Sequence, residues 1–164
     1  MPAQLCDQDV SASPPSLTQS ELGMILKAIQ VFVPELTKLE LGDTATRASR
    51  LLNWLTSVEL AVNPAGPHVV QWWKWCRDQA HEAHTTFLNT PMQLREHVVP
   101  ATMMPTAWHQ IEAWIRPRIV EALPRDAKEW VLAKARQGRV DPTHVLLYYV
   151  MKGFAPGVQT RRFS

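Results

Sequence analysis

Residues 71–84 read QWWKWCRDQAHEAH, which gathers three tryptophans, a thiol and two imidazoles into one short stretch. Three chemistries compete for it. His81, Glu82 and His84 approach the pattern of a zinc hydrolase, where two histidines hold the metal and the glutamate after the first acts as base. Trp72, Trp73 and Trp75 beside Lys74 and Arg77 approach a stacking platform for single-stranded nucleic acid. Wound into a helix, the same residues make a core face.

Spacing separates the three. Zinc hydrolases place their histidines at i and i+4, whereas His81 and His84 stand at i and i+3. A catalytic zinc also needs a third protein ligand and an open position. His68, His97, His109 and His144 are scattered without a paired spacing, and Cys76 lies two turns from His84. The stacking platform has two cations at hand, but Asp78 and Glu82 follow them. Val69, Trp72, Cys76, Ala80, Ala83 and Phe87, in contrast, follow steps of three and four and share one helical face. Trp73 and Trp75 flank it. Each ring removes about 150–250 Å² from water when buried, so this face is expected to close a core, with one tryptophan left at a subunit contact.

Other catalytic constellations are missing from the sequence. It has no Gly-rich phosphate loop, no Gly-x-Ser-x-Gly, no Cys-x-x-Cys and no obvious acidic pair. Six glycines against thirteen prolines describe a stiff scaffold rather than mobile catalytic loops. The expectation is a non-enzyme without metal, cofactor or small-molecule substrate.

The elements around the tryptophan stretch are helical. Thr18 and Glu21 have the form of a capping box before Leu22, Ile25, Leu26, Ile29 and Phe32. Pro34 should stop that helix, and PELTKLELGD reads as an extended connection. From Thr44 to Val62 the apolar positions Ala48, Leu51, Leu52, Leu55, Val58 and Val62 predict an amphipathic helix. The corner Asn63-Pro64-Ala65-Gly66-Pro67 leads into the tryptophan helix, predicted from about His68 to Leu88. Thr90-Pro91 then caps a short turn, and HVVPATMMP is a loop.

Trp108, Ile111, Ile115, Ile119 and Leu123 mark a further helix, which Pro117 should kink or divide. RDAKEWVLAKARQG is a helix ending at Gly138, and Asp141-Pro142 starts a last one with Gly153 as its stop. Strand signals are scarce. The predicted fold is all-α, a compact bundle of six to seven short helices with proline-rich corners.

At 164 residues the chain fits one domain. Residues 1–16 are polar and proline-bearing, and read as a disordered leader. No apolar run approaches the roughly 20 residues that span a bilayer. The first residues lack the basic and apolar regions of a signal peptide, so a cytoplasmic location and reduced thiols at Cys6 and Cys76 are expected. Charge is uneven: residues 1–40 carry −3, and Arg116 to the end carries +6. An acidic front and a basic back can attract each other between copies, or offer the basic end to phosphate.

The order of these segments resembles a known family. Trp54 lies in SRLLNWLTSVELAV, Trp72-Trp73 in the tryptophan helix, and Phe87-Leu88-x-Thr90-Pro91-x-x-Leu94-Arg95 at its exit. Ala122-Leu123-Pro124 and Phe154-Ala155-Pro156-Gly157 follow in turn. The series, over residues 32–163, is similar to the Gag capsid region of copia-type LTR retrotransposons, in particular the divergent copies of protist genomes. It contains no zinc-knuckle, protease or polymerase motif.

The resemblance implies a capsid-like helical domain over residues 17–157 with a basic tail over 158–164. Such a subunit would self-assemble into shells, its virus-like particles enclosing element RNA. Arg136, Arg139, Arg161 and Arg162 are the expected RNA contacts. Trp54, Trp72, Trp73, Trp75, Phe87, Trp108, Trp114 and Trp130 are the expected core or interface aromatics. The rival readings are a monomeric adaptor holding a partner peptide in a tryptophan-lined groove, and a hydrolase built on His81, Glu82 and His84.

Overall fold

Thr18 opens the first helix, α1 (Gln19–Phe32), through the reciprocal bonds of a capping box. Its Oγ1 accepts from the Glu21 N–H at 3.1 Å, and its own N–H donates to the Glu21 carboxylate at 2.9 Å. These bonds hold the Glu21 carboxyl below the usual carboxylate range. The structure is a computed structural model and describes residues 16–40 and 42–154. Cys6, Arg161, Arg162, the leader before Ser16, the tail over 158–164 and the Ala155-Pro156-Gly157 part of the last motif lie outside them.

Among the described residues the chain forms six α-helices and three short 3-10 turns, with no strand. After α1 come α2 (Arg47–Val62), α3 (Pro67–Leu88), α4 (His109–Ala122), α5 (Arg125–Arg136) and α6 (Thr143–Phe154). The fold is an all-α bundle, and among the described residues no helix is long and apolar enough to cross a membrane.

The centre of the bundle is α6. Every residue from Thr143 to Tyr148 is buried, as are Val150 and Met151. A helix that is apolar all round has to be enclosed, and α3 lies along it as its main neighbour. The start of α6 is capped from another helix. Glu112 of α4 accepts from the Thr143 N–H at 2.8 Å and from its hydroxyl at 3.0 Å, which satisfies a donor that helix geometry leaves orphaned.

The extended segment after α1 is fastened at two points, Thr37 and Leu39. The Leu39 N–H donates to the Ala122 carbonyl at 2.7 Å, and Trp54 Nε1 donates to the Thr37 carbonyl at 2.7 Å. Leu36 and Leu39 are buried beneath it.

Four local expectations change. Pro117 does not divide its helix: α4 continues from His109 to Ala122. Pro117 and Ala113, whose carbonyl loses its intrahelical donor, are both exposed residues, so the lost bond falls on the solvent side of the helix. Gly153 does not stop α6, which runs on to Phe154. Gly138 does end α5. At φ +81° it takes the left-handed turn, with its N–H on the Ala135 carbonyl and that of Arg139 on the Lys134 carbonyl.

The third change is at Thr90, which caps nothing ahead of it. Its hydroxyl donates backward to the Thr86 carbonyl at 2.6 Å and closes the end of α3. The fourth is the face of α2. Leu51, Leu55, Val58 and Val62 are buried as expected, but Trp54 joins them while Ala48 and Leu52 point outward. The largest side chain, with a donor to place, turns the helix toward itself.

Three side chains staple the loop between the 3-10 turn Met92–His97 and α4. Tyr148 Oη donates to the Val98 carbonyl at 2.6 Å, His144 Nε2 bonds the Ala101 carbonyl at 2.7 Å, and His109 Nε2 bonds the Met104 carbonyl at 2.9 Å. A carbonyl only accepts, so Nε2 of His144 carries the proton. Its Nδ1 is buried with no partner among the described residues. Burial lowers the His144 pKa from 6.5, against smaller raising effects of the Ala101 bond and Glu112.

The unfolded chain therefore binds this proton more readily than the folded one. The stability that neutral His144 contributes is intact above about pH 6.5 and lost as pH falls through the lower folded value. Thermal melts from pH 8 to 5 should show this acid-side loss. His144→Gln, which keeps a donor for Ala101 but does not titrate, should flatten that slope; an unchanged slope would discard the assignment.

Candidate interaction surfaces

The tryptophan stretch serves the core. Trp72 and Trp73 are fully buried, with ring centroids 6.1 Å apart, and Trp54 meets Trp73 edge-on at 6.4 Å. Trp72 Nε1 donates to Glu112 at 3.3 Å. Trp75 is the member left half-buried. It rests on Trp108 at 5.6 Å and edge-on against His144 at 4.8 Å. Phe87 is half-buried at the end of α3, with Tyr148 at 6.4 Å. Trp114 is half-buried on α4.

The near-motif HEAH is split by helix geometry. His81 and Glu82 are exposed, while His84 is buried with its ring stacked on Phe87. Cys76 is buried, and burial raises its thiol well above the ordinary range. The polar seam between α4 and α6 is occupied by structural bonds. Both Glu112 oxygens accept from the donors already named, and Arg116 Nε donates to the Asp141 carbonyl at 2.7 Å. A carboxylate committed to capping a helix is poorly placed to shuttle a proton.

Three outward features stand out among the described residues. The first is on α2, where Ala48, Leu52, Thr56 and Leu60 follow one another at i, i+4, i+8 and i+12 and are all exposed. The stripe is about 18 Å long at the helical rise. Leu52 is 58 % exposed and Leu60 69 %. Thr56 turns its hydroxyl back to the Leu52 carbonyl at 3.1 Å, and the neighbouring Ser49 and Asn53 carry no charge.

The second feature is a groove of about 380 Å³ between α5 and α6. Leu123, Trp130, Val131, Tyr149, Val150 and Gly153 line it, and Trp130 meets Tyr149 at 4.9 Å. The adaptor reading puts its groove at Trp72, Trp73 or Trp75; the α5–α6 groove is walled instead by Trp130. Its half-buried ring becomes a wall only through the fold, which brings Tyr149 of α6 against it.

The third feature is basic. Lys134 lies over the Trp130 ring at 5.7 Å, and Lys152 over Phe87, Tyr148 and Tyr149 at 4.8, 5.2 and 5.3 Å. Arg136 is exposed in the last turn of α5. Arg139 is exposed but engaged, donating to Asp141 at 3.1 Å and to Tyr149 Oη at 3.3 Å, bonds that raise its pKa. The structure thus places the expected pair Arg136 and Arg139 at the same end of α5 but gives them different freedom.

No protein-family model, no curated protein and no solved structure matches this chain.

Proposed function

We propose that this chain is a non-catalytic, self-assembling subunit of the Gag capsid kind, whose shells enclose RNA. The observation that carries the reading is the uncharged stripe Ala48–Leu52–Thr56–Leu60 on α2. The opposite face of this helix is filled with core residues, and Leu52 and Leu60 add two exposed leucines on the outer side. A surface helix of a solitary domain ordinarily turns a polar face to water. An exposed leucine pair on an uncharged line suits a contact about a twofold axis, in which the same patch meets its copy. The basic end of the chain, with Arg136 exposed, supplies a salt-dependent phosphate contact of the kind that RNA packaging needs.

Electron microscopy and light scattering of the purified protein, with and without RNA across salt concentrations, test the reading. Concentration-dependent particles that loosen as salt rises are expected; a strict monomer at high concentration, with or without RNA, would sink it. At single-residue level, Leu52→Asp with Leu60→Asp should leave stability within about 0.5 kcal/mol, as for other surface changes, while sharply reducing association in sedimentation. A loss of both together would place the stripe inside the fold instead.

The adaptor reading keeps one observation in its favour, the groove at Trp130. A peptide from another protein seated there would leave the chain monomeric.

A further inference from the structure

Several cations on this protein answer to a carboxylate. Arg77 bonds Glu59 at 3.0 Å, Lys128 faces Glu121 at 3.6 Å and Arg125 faces Glu129 at 3.4 Å. Arg95, Lys134 and Lys152 are held by neutral groups instead. Lys152 lies over Phe87, Tyr148 and Tyr149, and Lys134 over Trp130. Arg95 lies over the same Phe87 ring at 5.1 Å and donates to the Thr90 and Leu88 carbonyls at 2.8 and 3.1 Å.

None of these three cations has an ion pair among the described residues. A ring or a carbonyl attracts a cation and fixes its place without cancelling its charge. All three are half-buried. Burial lowers the Lys152 pKa, and no carboxylate acts to raise it again.

The rings that seat them are continuous. Phe87 meets Tyr148 at 6.4 Å, Tyr148 meets Tyr149 at 5.2 Å, and Tyr149 meets Trp130 at 4.9 Å. The cations therefore stand along one line of rings, from the exit of α3 over α6 to α5. Phe87, Tyr149 and Trp130 are half-buried, so each keeps part of its surface in water.

A line of positive charge that the protein does not neutralise suits a chain of anions, and a nucleic-acid backbone is one. The rings select the kind of strand. Unpaired bases are free to lie against them, whereas a duplex keeps its base faces stacked inside. We infer that Arg95, Lys152 and Lys134 form a track for single-stranded RNA, holding its phosphates with the rings between them open to bases. This rests on the RNA half of the proposed function and names where the strand runs.

The test uses the full chain and a labelled RNA of about 12 nucleotides, with binding followed by fluorescence anisotropy across salt concentrations. One variant carries Lys134→Gln and Lys152→Gln. A control carries Lys27→Gln and Lys74→Gln, which remove the same charge from exposed positions on α1 and α3. Thermal melts establish that both fold. The track variant should bind at least about tenfold more weakly, with a log–log salt slope shallower by about 1.4 for two lost phosphate contacts. The control should stay within about twofold of the wild type.

If the wild type binds RNA and the two variants weaken alike, or the track variant does not weaken, the track is wrong while RNA packaging stands. A duplex of the same sequence that competes as well as the single strand overturns the choice of strand. A polyglutamate peptide that competes as well would reassign the track to an acidic protein. A wild-type chain that binds no RNA removes both the track and the packaging reading.

Discussion

Trp72→Ala should destabilise the protein by about 3–5 kcal/mol, the range for removing a buried tryptophan. Trp72 is 0 % exposed, lies between α3 and the rest of the core, and touches Trp73. The substitution empties a cavity that α6 and α4 are too constrained to close. It also withdraws a donor from Glu112. A domain of this size is ordinarily stable by only about 5–15 kcal/mol, so the shift in a urea transition should be unmistakable. A loss below about 1 kcal/mol accompanied by failed assembly would put Trp72 at an interface and refute its place in the core.

Glu112→Ala is expected to cost about 2–4 kcal/mol, for a different reason. No large volume is lost. Instead the Thr143 N–H and hydroxyl, on a residue that is 0 % exposed, are left without their acceptor at the start of the central helix. An unsatisfied buried donor carries its full desolvation penalty. Glu112→Gln retains one acceptor oxygen and should lose less. Hydrogen exchange separates this from a general loosening: the first turn of α6 should lose protection before α1 or α2 does. Uniform loss across all helices would show that Glu112 acts through the whole core.

Much of this fold was legible because its signals are local. The capping box at Thr18 and Glu21, the proline at the start of α3 and the left-handed Gly138 each depend on a few neighbouring residues. The face Val69–Trp72–Cys76–Ala80 is buried as its spacing requires. Where spacing offered two nearly equal answers, as on α2, periodicity chose Ala48 and Leu52 because it does not weigh side-chain size. Trp54 decided the matter through a partner seventeen residues away, the Thr37 carbonyl.

The surfaces were less legible than the core. Nothing near Trp130 in sequence announces a groove, since the ring it packs against is Tyr149, on a helix that arrives after a turn and a link. The staples from Tyr148 and His144 onto the 98–105 loop bridge fifty and forty-three residues. Such contacts exist only after α6 has been enclosed. Gly153 is instructive in the same way: read locally it is a stop signal, and in the fold it is a gap in a groove wall.

Cys76 gives the protein a built-in clock. Its sulfur sits at 0 % exposure in the middle of the tryptophan face, and burial holds it as the unreactive thiol. With Cys6, the only other cysteine, changed to serine, any alkylation by a water-soluble reagent must wait for α3 to part from its neighbours. The labelling rate under native conditions then counts those openings directly. Comparing that rate between isolated subunits and assembled particles would show how tightly a neighbour's grip reaches into the core.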